Sequence, residues 1–293
     1  MINLKGVGVA LVTPFTESGE VDFAALERLL NHVKNGGVDY LVVFGTTAET
    51  VTLTSNEKED VLKFIKQWNN GQLPIVLGMG GNNTAELCNT IKEFDFDGIS
   101  AILSVTPFYN KPTNDGIYAH YKAISEVSPL PIVLYNVPSR TGVNMSAQTT
   151  IRLAEECENI IAVKEASGSL NQAAYIIKNA PERFIVISGD DNLTVPMISI
   201  GAEGVISVAA NVFAKDFCEA IDYALNDESV LCRSKYFKLL KATDLLFAEG
   251  NPAGVKCALS IKGITSDVVR LPLVKASESL REQLIYEIEN YKL

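Results

Sequence analysis

Lys164 closes an apolar, β-branched run, Ile160-Ile161-Ala162-Val163-Lys164-Glu165-Ala166. A short run of this composition reads as a parallel strand buried on both faces, and an ammonium carried into it loses hydration, which favours the neutral amine. A neutral amine attacks a ketone and forms an imine. By itself, a lysine at a strand end equally snorkels to solvent or pairs with Glu165. Tyr135 closes the preceding run, 29 residues earlier, which is about one βα repeat. Both side chains are then expected to face one cavity from neighbouring strands. A phenol beside an amine can deliver the proton that imine formation needs and take the one that enamine formation releases. Thr46, Thr47 and Tyr109, also near the ends of apolar runs, are candidates for the proton relay.

Such residues need a frame that brings strand ends together. Apolar runs bounded by turn residues recur at 6–14, 39–45, 74–80, 98–107, 131–138, 160–166, 184–189 and 204–210. Helical patterns lie between them. Asp22 is placed to cap the first, ahead of Leu26, Leu29, Leu30 and Val33 on one face, while Thr54 with Glu57 and Ser169 with Gln172 have capping-box spacing. Strict alternation of about eight such units predicts an α/β chain folded as a (β/α)8 (TIM) barrel, with chemistry at the carboxyl ends of the strands. Residues 1–224 are expected to form the catalytic barrel, and 225–293 a helical extension packed on it, with helices near 229–248, 252–261 and 277–291.

Composition narrows the function. Lys and Arg number 25 against 35 Asp and Glu, a net charge of −10, so nucleic acid and anionic membrane are not expected partners. Five scattered cysteines without a C-x-x-C pair signal neither a disulfide framework nor a zinc site. The only histidines, His32 and His120, fall in helical patterns and give a metal centre or a His-based triad little material. No metal and no cofactor is expected. Asp190 and Asp191 could hold a divalent cation, but a turn that caps the helix from about Thr194 is the favoured reading. Gly78-Met79-Gly80-Gly81-Asn82-Asn83 is a weak match to a dinucleotide loop. With no apolar stretch of membrane-spanning length and no basic leader, the expected compartment is the cytoplasm.

Five segments, in order, carry a resemblance: Gly45-Thr46-Thr47-Ala48-Glu49, Thr106-Pro107-Phe108-Tyr109-Asn110, Tyr135-Asn136-Val137-Pro138-Ser139-Arg140-Thr141-Gly142, Val163-Lys164-Glu165-Ala166 and Ser188-Gly189-Asp190-Asp191. Over nearly the whole chain the sequence resembles the dihydrodipicolinate synthase and N-acetylneuraminate lyase family of pyruvate-dependent class I aldolases. The resemblance implies that Lys164 forms a Schiff base with pyruvate, so that no cofactor is required. It also implies that Tyr135 shuttles protons through Thr46 to Tyr109, and that the turn at Thr46 and Thr47 receives the pyruvate carboxylate. Ile206 would offer its backbone carbonyl nearby. In this family the tyrosine matching Tyr109 comes from the adjacent subunit of a tight dimer, so a homo-oligomer, commonly a dimer of dimers, is implied.

Arg140 bears on the acceptor. In the synthases of the family the arginine of this motif holds the carboxylate of L-aspartate semialdehyde, and the sugar-acid lyases lack it. The implied reaction is condensation of pyruvate with that aldehyde to 4-hydroxy-tetrahydrodipicolinate, in the route to diaminopimelate and lysine. Alternatives are a related lyase or aldolase acting on a sugar-derived 2-keto acid, and a non-catalytic sensor on the same barrel. A phosphate-binding barrel fits least, because 190–192 and 209–211 supply acids and alanines where Gly-rich loops are wanted. Two departures stand out. Ala48 replaces a usual glycine, so its loop must adopt an ordinary conformation or carry strain. Asn82 and Glu86 match a lysine-inhibition site, but Phe108 replaces a tyrosine there, and Ser55 and Lys58 replace histidines.

Overall fold

Buried on both faces, the short apolar runs leave their backbones only one another to hydrogen-bond with, and parallel strands between helices are the result. The computed structural model describes residues 2–290. Within them each predicted run holds one strand: β1 (Gly6–Ala10), β2 (Tyr40–Val43), β3 (Ile75–Gly78), β4 (Ala101–Val105), β5 (Ile132–Asn136), β6 (Ile160–Glu165), β7 (Ile185–Ser188) and β8 (Gly204–Ser207). They pair in chain order as a closed barrel, with helices between successive strands.

Helix starts follow local chemistry. Asp22 accepts from the Ala25 amide ahead of the helix Phe23–Asn35, and Thr54 with Glu57 forms a full capping box ahead of Ser55–Asn69. The second expected box is only half made. Ser169 accepts from the Gln172 amide at the start of Leu170–Asn179, but the Gln172 side chain does not turn back to the cap: it donates to Glu165 Oε2 at 2.9 Å. The oxygen that would close the box, Gln172 Oε1, accepts instead from Asn144 Nδ2 at 2.8 Å, and the Ser169 amide donates to Ser167 Oγ at 3.2 Å.

The chain divides into two compact units. The first, Pro74–Ile206 with the segment before β1, carries β3 to β7 and nearly all of β8. Its core joins Ile102, Ile132, Leu134, Ile160 and Val163 from the strands to Tyr121, Leu153 and Ile176 from the helices. The second, Gly6–Leu73 with Ser207–Leu293, carries β1, β2 and the C-terminal helices Ala214–Leu225, Ser229–Phe247, Ala253–Ile261 and Glu278–Asn290. Ala253–Ile261 is buried from Ala253 through Leu259, which explains its nearly unbroken apolar sequence. Tyr291, the expected end of the last helix, lies outside the described residues.

Both histidines serve helix packing. His32 is half-buried, with Nε2 3.3 Å from the Val212 carbonyl. His120, in the helix Asn114–Val127, is buried, with Nδ1 2.8 Å from Thr84 Oγ1 and Nε2 without a partner among the described residues. Burial pushes its pKa down from 6.5 to about 4. Below pH 6.5 the unfolded chain therefore takes up a proton that the folded chain refuses until about pH 4, so stability must fall as pH drops through that window. The full loss is on the order of 3 kcal/mol. His120→Gln should flatten this part of the stability-versus-pH curve in urea melts at pH 7 to 4; an unchanged slope would contradict the assignment.

Candidate active site

One bulge aligns Lys164 with Tyr135. Ile132 pairs with Ile160, a register that would place Tyr135 opposite Val163, but it shifts between Ile132 and Val133, so that Val133 meets Ala162 and Tyr135 meets Lys164. Because strand side chains alternate faces, a one-residue slip decides whether lysine and tyrosine share a face or oppose each other. With the shift they share it. Lys164 Nζ lies 4.4 Å from the centre of the Tyr135 ring. Lys164 is only 6% exposed and Tyr135 7%, so the expected pairing at the strand ends is present.

Pairing of Lys164 with Glu165 is not. As its neighbour on β6, Glu165 points to the opposite, helix-facing side, where its buried carboxylate accepts from the Ser167 amide at 2.7 Å and from Gln172 Nε2 at 2.9 Å. Asn136 Nδ2 reaches both carboxylate oxygens, at 3.2 and 3.1 Å, and Asn144 Oδ1 at 2.8 Å. This network ties the end of β5 to the end of β6 behind Tyr135 and Lys164. Sequence reasoning missed it: Asn136 and Glu165 stand within motifs that do not mark their contact, Asn144 carries no local signal, and the capping-box spacing of Gln172 points to a different partner.

Gly189, just after β7, makes room for the lysine. A Cβ at this position would lie 3.0 Å from Lys164 Cε, 3.1 Å from its Cγ and 2.7 Å from Ala166 Cβ. Any side chain there would push the Lys164 stem aside. The following Asp190 caps a 3-10 turn, Asp191–Leu193, accepting from the Asn192 and Leu193 amides at 3.0 and 3.3 Å. The expected turn is present, but the helix it was expected to cap, Thr194–Ser199, follows Leu193 at its N-cap and has no side-chain cap.

The remaining candidates of the first unit lie further out. Arg140 is exposed on the short helix Pro138–Thr141 directly after β5, and the described residues hold no ion pair to it. Tyr109 is 88% exposed, at φ 71°, and so contributes little to the surroundings of Tyr135 within its own chain. Its loop is tied down by Asn82 Nδ2 on the Phe108 carbonyl and by Asn110 Nδ2 on the Asn82 carbonyl, both at 3.1 Å. Glu86 is exposed in the first turn of Thr84–Glu93, with Oε2 3.3 Å from Asn83 Nδ2. Ile206 is buried on β8.

In the second unit, β2 runs into a 3-10 turn, Thr46–Ala48. Thr46 is exposed; Thr47 is buried, and its Oγ1 accepts from Asn251 Nδ2 at 2.9 Å. With one lone pair engaged in this way, the Thr47 hydroxyl proton is left to donate to an anion. Ala48 escapes strain: the left-handed conformation falls on Glu49, at φ 53°. The Ala48 carbonyl accepts from Thr13 Oγ1 at 2.8 Å. Among the described residues no cluster of His, Cys, Asp and Glu is placed to hold a metal ion, and no helix is long and apolar enough to cross a membrane.

Known proteins resemble this chain in sequence and in fold. The profile of the dihydrodipicolinate synthetase family matches residues 3–291. A 4-hydroxy-tetrahydrodipicolinate synthase of Parabacteroides distasonis is 51% identical over 287 residues, 97% of either chain. Among solved structures, dihydrodipicolinate synthase of Thermotoga maritima superimposes with a TM-score of 0.95 at 38% identity, covering 98% of both chains. The chloride-inhibited dihydrodipicolinate synthase of Acinetobacter baumannii, complexed with pyruvate, gives 0.95 at 38% identity and covers 99% of both. With a profile match along nearly its full length, a relative at half identity and the barrel itself in common, this chain belongs to the dihydrodipicolinate synthetase family.

Proposed function

We propose that this chain is a lyase that condenses pyruvate with L-aspartate-4-semialdehyde to 4-hydroxy-tetrahydrodipicolinate, in the biosynthesis of diaminopimelate and lysine. The observation that carries the reading is the Lys164 amine, buried and 4.4 Å from the Tyr135 ring centre, in a chain of this family. The amine attacks the keto carbon of pyruvate. Tyr135 gives a proton to the carbinolamine hydroxyl, which leaves as water, and the resulting imine draws electrons from the methyl group until a proton departs. The enamine carbon then bonds to the aldehyde carbon of the second substrate. Finally that substrate's own amine displaces Lys164 and closes the ring. The imine is the electron sink throughout, so no metal or other cofactor enters the chemistry.

The other roles follow the same reading. Thr47, with a hydroxyl proton to donate, and Thr46 receive the pyruvate carboxylate; Ile206 supplies a carbonyl near the bound keto acid. Tyr135 passes its proton through Thr46 to Tyr109 of a neighbouring subunit. The exposure of Tyr109 supports a homodimer, and pairs of such dimers complete a tetramer. Phe108, Val51 and Leu271, all exposed apolar side chains, are the kind of residue such contacts cover. Residues 1–224 act as the catalytic barrel and 225–293 as its helical extension, in the cytoplasm. Inhibition by lysine at Asn82 and Glu86 belongs to the same proposal, with a hydroxyl donor to the ligand carboxylate lost at Phe108.

Arg140 separates this acceptor from a sugar-derived one. Losing a bidentate, charge-assisted contact costs about 1.5–3 kcal/mol. Arg140→Ala should therefore raise KM for aspartate semialdehyde roughly 10- to 100-fold, while borohydride trapping of pyruvate on the enzyme is unchanged. Equal turnover of the semialdehyde by wild type and variant would contradict the acceptor assignment and favour a sugar-acid lyase or aldolase. A chain that traps no pyruvate at all would favour the non-catalytic sensor.

A further inference from the structure

Lys256, in the helix Ala253–Ile261, has no exposed surface, and neither does the Glu49 side chain it pairs with. The distance between Nζ and Glu49 Oε1 is 2.5 Å. Nζ also donates to the Val268 carbonyl at 2.9 Å and sits 4.0 Å from the centre of the Phe15 ring. The other Glu49 oxygen accepts from the Arg270 amide at 2.9 Å, and the Arg270 guanidinium carbon lies 4.3 Å from the same ring centre. A sealed ion pair of this kind adds little net stability, since desolvation offsets most of the attraction; what it does fix is geometry. The fixed element here is specific. Glu49 is the left-handed residue that ends the Thr46–Ala48 turn, an unfavourable conformation for a glutamate. On the same turn Asn251, five residues before Lys256, holds Thr47 Oγ1.

We propose that Lys256 is a positioning residue for pyruvate: through its buried pair with Glu49 it holds the Thr46–Thr47 turn with the Thr47 hydroxyl aimed to donate to the substrate carboxylate. This rests on the reading of Thr46 and Thr47 given above. Lys256 touches no substrate, and its loss acts through the turn alone. Affinity for pyruvate therefore changes, while recognition of the aldehyde does not.

Three variants test it, with KM for each substrate and kcat as the readout. Lys256→Met alone is set aside, because it strands a buried carboxylate and is the change most prone to unfold the chain. Glu49→Gln is milder: burial already lowers the Lys256 pKa to about 8 against the raising charge of Glu49, so once that charge is gone the amine can give up its proton. The one carboxamide oxygen can accept from Lys256 or from the Arg270 amide, not from both. Glu49→Gln with Lys256→Met removes both charges at nearly constant volume. Thr47→Val calibrates the carboxylate contact. Thr47→Val and either neutralised variant should each raise the pyruvate KM roughly tenfold, leaving the semialdehyde KM within about twofold. If Thr47→Val does so and both Glu49 variants do not, the positioning role is overturned and the Thr47 contact stands. If Thr47→Val leaves the pyruvate KM unchanged, the contact itself is wrong and the positioning role falls with it. A parallel rise in both KM values would show a general structural defect and also overturn the proposal.

Discussion

Replacing Lys164 by Met should lower kcat/KM on the order of 10⁴-fold or more, since every later step needs the imine. Methionine has almost the length of lysine, lies in the same space beside Gly189 and brings no charge into a buried site. The variant should therefore fold as the wild type does, with an unchanged melting temperature, and yet fail to acquire mass from pyruvate and borohydride. Steady-state turnover with both substrates, measured beside the thermal melt, checks the two halves together. Residual activity within about tenfold of wild type would mean that another group forms the covalent intermediate.

Tyr135→Phe should cost about 10²- to 10³-fold in kcat, the usual scale of a lost general acid-base group. The ring stays, so the contact that seats Lys164 4.4 Å from its centre stays with it. Thr106 still donates from both its amide and its hydroxyl to the residue-135 carbonyl, at 2.9 Å each, so the strand end is held as before. What disappears is the proton carrier. Imine formation should slow in step with turnover, while the adduct still maps to Lys164, and stopped-flow trapping at several pH values checks both. A kcat within about threefold of wild type would remove Tyr135 from the chemistry.

The strands were legible because parallel strands buried on both faces leave unbroken apolar runs, and each run held one strand. Tyr135 and Lys164 were legible too, as polar residues closing such runs. The bulge that aligns them was not: Ile160-Ile161-Ala162-Val163 is apolar at every position, and nothing in it marks where one residue slips out of register. Had β5 and β6 paired without the slip, the same sequence would have set the two side chains on opposite faces. Gln172 has the spacing of half a capping box because spacing along a helix is a local signal; the carboxylate that captures its amide instead comes from β6. Ala48 shows the converse. Strain expected at one residue is passed to the next, where Glu49 is held by Lys256, 207 positions away in the chain. Contacts over that separation leave no trace in spacing or composition. Gly189 lies in a recognisable motif, but its function, leaving room for the lysine stem, depends on how β6 and β7 pair.

Reductive trapping tests the covalent chemistry most directly. The wild-type protein is incubated with pyruvate and borohydride, digested, and its peptides are weighed. A single pyruvate-derived adduct on the peptide carrying Lys164, absent when either reagent is omitted, is the expected result. An adduct on any other lysine, or none at all while the enzyme turns over, would contradict the assignment of Lys164 as the amine that forms the imine.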